Sequence, residues 1–129
     1  MKRMMALFLT CSSLLWADDW CLSQKRGGLK EFVNLEVAVA EIDGRKIAII
    51  QSKVLSSRGG TDVTTSYWRM RGEGWESATK TTQLFHRDGA SRSKKTYEDS
   101  DLKWIPLRDS PIGPWKTALA RAAALLRGK

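Results

Sequence analysis

Residues 40–53 read AEIDGRKIAIIQSK, and the Asp43–Gly44 pair inside this stretch decides how the chain is expected to fold. A two-residue Asp-Gly loop favours a type I′ turn, because both central residues sit at positive φ and the twist of that turn matches the twist of paired strands. With the turn fixed there, Ile42 faces Arg45, Ala40 faces Ile47, Ala38 faces Ile49 and Glu36 faces Gln51. The other face carries Leu35, Val37, Val39, Ala48 and Ile50. Both faces are largely apolar, which places the hairpin in the middle of a sheet covered on both sides. In that position Ile49→Asp would bury an unpaired charge and prevent folding.

Further strands follow the hairpin. SSRGGTD, residues 56–62, is a run of turn formers and reads as a loop. TTSYWRMR, residues 64–71, alternates, with Ser66, Trp68 and Met70 on one side and Tyr67, Arg69 and Arg71 on the other. The chain turns at Gly72-Glu73-Gly74, and WESATKTTQLFHR, residues 75–87, is rich in threonine and aromatics and reads as a long strand. Asp88-Gly89 ends it, and a basic strand around Ser93 to Tyr97 returns. Residues 18–33 are polar around Gly27-Gly28 and read as an irregular lead-in with one short element. The tail changes character at DSPIGP, residues 109–114, where Ser110 is the expected helix cap with Pro111 in the first turn. WKTALARAAALLR, residues 115–127, is the one convincing helix, with an apolar stripe of Trp115, Ala118, Leu119, Ala122, Leu125 and Leu126. The expected fold class is therefore α+β: an antiparallel meander of four to six strands with one C-terminal helix on a face.

The first seventeen residues have a different pattern. Lys2 and Arg3 precede the mostly apolar run Met4–Ala17, and Asp18 and Asp19 follow it. This is the layout of a secretory signal peptide ending at Ala17, and the run is shorter than the roughly 20 residues a membrane-spanning helix needs. The expected organisation is a leader over 1–17 and one small domain over 18–129, in an exported protein of the periplasm, cell surface or medium. Removing Lys2 and Arg3 takes the formal charge from +8 to +6, and loss of Cys11 leaves Cys21 as the only thiol, expected to be a buried apolar residue. A net positive charge suits acidic partners such as anionic polysaccharide or lipid headgroups. No basic run reaches the length that marks a nucleic-acid tract, so nucleic acid is the disfavoured partner.

Catalytic and metal chemistry finds little support in the sequence. The one histidine, His86, has no G-x-S-x-G elbow to serve, and one His with one remaining Cys cannot supply a zinc site. No glycine-rich loop opens a helix, so no cofactor is expected. An alternative comes from the opening stretch, which resembles the second half of the PD-(D/E)xK nuclease hairpin. There Glu36 and Gln51 would hold Mg²⁺ and Lys53 would stand near the attacking water. Glu36 replaces the usual Asp, and the resemblance covers about twenty residues.

The whole-chain order points elsewhere. LFHRDG (84–89), KWIPL (103–107) and SPIGPWKTAL (110–119) resemble the bacterial surface-adhesin protein E family, with Trp104, Pro106, Ser110, Ile112 and Trp115 falling in the family's order. That resemblance implies a six-stranded antiparallel sheet with the helix on one face, in an exported protein, some members binding host matrix proteins and plasminogen. It also implies a disulfide tying the helix to the sheet. No cysteine lies beyond Cys21, so packing of Trp115, Leu119 and Leu126 must hold the helix instead. The functional expectation is a small non-enzymatic, adhesin-like binding protein for an acidic or matrix-type partner. Its candidate contacts are Tyr67, Arg69 and Arg71 on one strand face, with Arg92, Lys94 and Lys95. A structural subunit of an envelope or other complex, with the tryptophans as contact residues, is the third reading.

Overall fold

The computed structural model describes residues 19–128, so the expected leader over 1–17 lies outside the described residues. Among these residues eight strands and one α-helix follow in order: β1 (Trp20–Arg26), β2 (Leu29–Asn34), β3 (Ala38–Ile42), β4 (Arg45–Ser56), β5 (Thr61–Arg71), β6 (Gly74–Phe85), β7 (Ser91–Thr96), β8 (Ile105–Pro106) and α1 (Gly113–Leu126), with a 3-10 turn at Asp99–Asp101 between β7 and β8. All pairings are antiparallel, and the sheet runs β1-β2-β4-β5-β6-β7. β3 shares the β2 side of β4, and β8 pairs β6, so eight strands occupy six lateral positions. This is the expected α+β meander closed by a helix.

The deciding hairpin forms as its sequence dictates. Asp43 and Gly44 sit at φ 52° and 78°, and Ala38, Ala40 and Ile42 pair with Ile49, Ile47 and Arg45. Glu36 does not pair with Gln51: Val33 pairs Ser52 and Ala38 pairs Ile49, so the β2–β3 side holds two residues more than β4 between those points. Leu35–Val37 take up the excess as a bulge. It is fixed by the Glu36 amide donating to Asn34 Oδ1 (2.9 Å) and the Leu35 amide donating to the Asp19 carbonyl (2.8 Å). The hairpin is thus only half central. On β4, Ile47, Ala48 and Ile50 are buried on alternate faces, while on β3 Val39 is 39 % exposed. Ile49 is only half-buried beside Tyr67, so a buried charge is expected to prevent folding at Ile50, which is fully enclosed, rather than at Ile49.

The lead-in is also more ordered than its polarity suggests. Residues 20–34 form a full hairpin, β1–β2, around Gly27–Gly28, with Cys21 half-buried opposite Val33. A hairpin at the sheet edge keeps one side in water, so its strands need few apolar residues.

One face of the sheet carries α1. Val33, Ala48, Ile50, Ala118 and Ala122 are fully enclosed, Trp68 and Leu119 nearly so, and Trp75, Trp115 and Leu126 pack around them. Small alanines let the helix approach closely, and the three indoles fill the remaining volume: Trp68 lies 5.5 Å from Trp115 and 6.3 Å edge-on from Trp75. The helix starts at Gly113 rather than near Ser110. Ile112 is extended and Gly113 takes φ 59°, which stops helical geometry from reaching back to the expected cap, so Pro114 supplies the first-turn proline. Leu125, expected in the apolar stripe, is 38 % exposed. Arg121 ties the helix down without a disulfide, its Nη1 donating to the Leu35 carbonyl (2.8 Å) and to Asp19 Oδ2 (3.2 Å). Among the described residues no helix is long and apolar enough to cross a membrane.

Candidate functional site

The ladder alternation sorts the side chains between two faces. With Ala48, Ile50, Ser66 and Trp68 under the helix, the opposite face receives Phe32 from β2, Gln51 and Lys53 from β4, and Val63, Thr65, Tyr67 and Arg69 from β5. From β6 and β7 it receives Glu76, Ala78, Thr81, Gln83, Lys94 and Thr96. A bulge between the Thr65 and Ser66 pairings brings Lys80 to this side as well, 5.7 Å over the Tyr67 ring.

Two cross-strand rows lie side by side on this helix-free face. One runs Lys53–Val63–Gln83–Lys94 and the other Gln51–Thr65–Thr81–Thr96, each crossing β4 to β7. At about 4.8 Å per strand step, the backbone positions of the lysines at the ends of the first row are about 14 Å apart. Lys53 is positioned by rings rather than by a carboxylate, its Nζ lying 4.3 Å from the centroid of Trp20 and 5.7 Å from that of Phe32. Partial burial lowers its pKa from the ordinary lysine value. Neither Lys53 nor Lys94 makes an ion pair among the described residues. Gln51 Nε2 reaches Thr65 Oγ1 at 3.4 Å, so the second row presents amide and hydroxyl groups in register.

The six residues singled out in the sequence do not form one patch. Tyr67, Arg69 and Arg71 share the helix-free face, as the alternation predicts, but their charge is largely committed. Arg69 Nε and Arg71 Nη1 hold the two oxygens of Glu76 at 2.9 and 3.0 Å. Glu76 is only 6 % exposed, and these arginine hydrogen bonds hold its carboxyl below the usual carboxylate pKa. The Arg69 guanidinium also stacks 4.0 Å from the Trp104 ring centroid. Arg92, Lys94 and Lys95 lie on the fully exposed edge strand β7. Lys94 points to the helix-free side, and Lys95, paired with Thr82, to the other. Lys80 pairs with Asp99 at 2.7 Å, which raises its pKa.

The sequence-stretch alternative of Glu36, Gln51 and Lys53 is likewise divided. Gln51 and Lys53 fall in adjacent rows, while Glu36 sits exposed in the bulge, out of register with both. Among the described residues no group of three or more His, Cys, Asp or Glu could hold a metal ion. Sequence reasoning missed Trp20, Phe32 and Lys80 as parts of the face. The first two became legible only with the β1–β2 hairpin, and Lys80 only with its bulge. No family model, curated protein or solved structure matches this chain.

Proposed function

We propose that this is a small exported, non-enzymatic binding protein whose helix-free sheet face holds an extended anionic polymer of the sulfated-polysaccharide class. One observation carries the reading: the two adjacent rows that end in Lys53 and Lys94 and present Gln51, Thr65, Thr81 and Gln83 between them. The lysines offer charge to anionic groups at the two ends of the row, and the amides and hydroxyls offer hydrogen bonds to the ring oxygens and hydroxyls of the intervening sugars. Trp20, Phe32 and Tyr67 flank the rows and hold the ammonium groups of Lys53 and Lys80 over their rings. The face keeps a positive balance, with Lys53, Lys80, Arg69, Arg71 and Lys94 set against Glu76 and Asp99. The basic overall composition steers such a polymer toward it.

Equilibrium binding of heparin, with neutral dextran as control, tests this. The expected result is salt-dependent heparin binding, no dextran binding, and a log–log salt slope smaller by about two in the Lys53→Ala/Lys94→Ala variant, as counterion release requires. An unchanged affinity and slope in a variant with a native circular dichroism spectrum would overturn the assignment.

A further inference from the structure

On the other side of the sheet, a crevice of about 380 Å³ opens between the start of α1, the chain leading into it and the exposed part of the sheet. That size falls within the roughly 300–1,000 Å³ typical of small-molecule sites. Its inner wall is Trp68, Trp115 and Leu119, and Ile112, 79 % exposed, stands at its rim. Among the described residues, the ionisable side chains lining it are Glu31 from β2 and Asp109 from the chain leading to α1, with no lysine, arginine or histidine. In a chain with net charge +8, a cavity whose described lining charges are both negative is a selective feature.

We propose that this crevice binds a compact organic cation with an apolar body, of the aryl- or alkyl-ammonium class. The apolar portion would lie against the half-buried indole of Trp115, with the Trp68 ring, 6 % exposed, forming the floor 5.5 Å from it. The ammonium would sit toward Glu31 and Asp109. Glu31 already accepts a hydrogen bond from Gln24 Nε2 at 3.2 Å, which orients its carboxylate without neutralising it. Aromatic faces attract cations through their quadrupole, and the two carboxylates add coulombic attraction in a partly enclosed site. Anions are disfavoured by the same charges. This site is separate from the helix-free face, so either assignment can fail without the other.

Calorimetric titration of the full chain with benzyltrimethylammonium tests the proposal, with benzyl alcohol and benzoate as the neutral and anionic counterparts. Saturable binding of the ammonium is expected, accompanied by a change in tryptophan fluorescence, with benzyl alcohol weaker and benzoate not bound. In the Glu31→Gln/Asp109→Asn variant the affinity for the ammonium is expected to fall about tenfold, two partly exposed ion pairs being removed. Absence of saturable ammonium binding, equal binding of benzyl alcohol, or undiminished affinity in the folded double variant would each overturn it. Should the double variant fail to fold, the comparison of the three probes on the unaltered chain decides the question.

Discussion

A carboxylate enclosed between two arginines makes Glu76 the residue at which acidity and stability meet. Hydrogen bonds from Arg69 and Arg71 depress its pKa in the folded protein. Its contribution is therefore fully present above the ordinary glutamate value of about 4.3 and is lost as the pH falls through the lower folded value. Chemical denaturation at a series of pH values should show an acid-side loss of stability that is smaller in Glu76→Gln, which keeps the shape but cannot titrate. The sequence showed that Tyr67, Arg69 and Arg71 share a face, because alternation along one strand is a local property. It did not show that the two arginines spend their charge on Glu76, because that contact depends on the β5–β6 register. Lys53 is the converse case. Named in the sequence only as the lysine of the nuclease-like stretch, it is placed by Trp20 and Phe32, whose positions depend on a hairpin that the polar lead-in concealed.

Among the elements, the β3–β4 hairpin was the most legible, since Asp43–Gly44 sets the turn and the turn sets the register. Its reach was not legible. The bulge at Leu35–Val37 is fixed by the Asn34 side chain and the Asp19 carbonyl and is met from the helix by Arg121, which donates to the Leu35 carbonyl, and the contacts to Asp19 and Arg121 are not local in sequence. The helix itself was clear from its apolar spacing, but its start was not, because the extended Ile112 and the positive φ of Gly113 override the Ser110–Pro111 signal. Two substitutions test how α1 is held. Leu119→Ala empties a site that is 3 % exposed and should cost about 2–5 kcal/mol in denaturant unfolding. Arg121→Ala removes two hydrogen bonds from a half-exposed side chain and should cost about 1 kcal/mol. A larger loss from Arg121→Ala than from Leu119→Ala would mean that the polar clamp, rather than indole and aliphatic packing, secures the helix.

For the molecule as a whole, the architecture gives its two faces different surfaces. The helix seals the face with the apolar core, which leaves the opposite face to carry lysine, threonine and glutamine rows between aromatic rings. Composition and turn signals were enough to read an antiparallel sheet with one closing helix. They could not show the two rows, because the rows assemble from four strands spread between Gln51 and Thr96. Export belongs to this scale too: the intact mass recovered from the periplasm or medium of a bacterial host is expected to begin at Asp18, and a full-length cytosolic product would contradict it.

The most direct measurement of the central claim is a backbone amide NMR titration of the protein with a heparin oligosaccharide. The expected shifts cluster on β4 to β7 around Gln51, Lys53, Thr65, Thr81, Gln83 and Lys94, with α1 from Gly113 to Leu126 unmoved. Shifts centred on the helix, or confined to β7 with Lys53 and Gln51 silent, would contradict a binding face built from the two cross-strand rows.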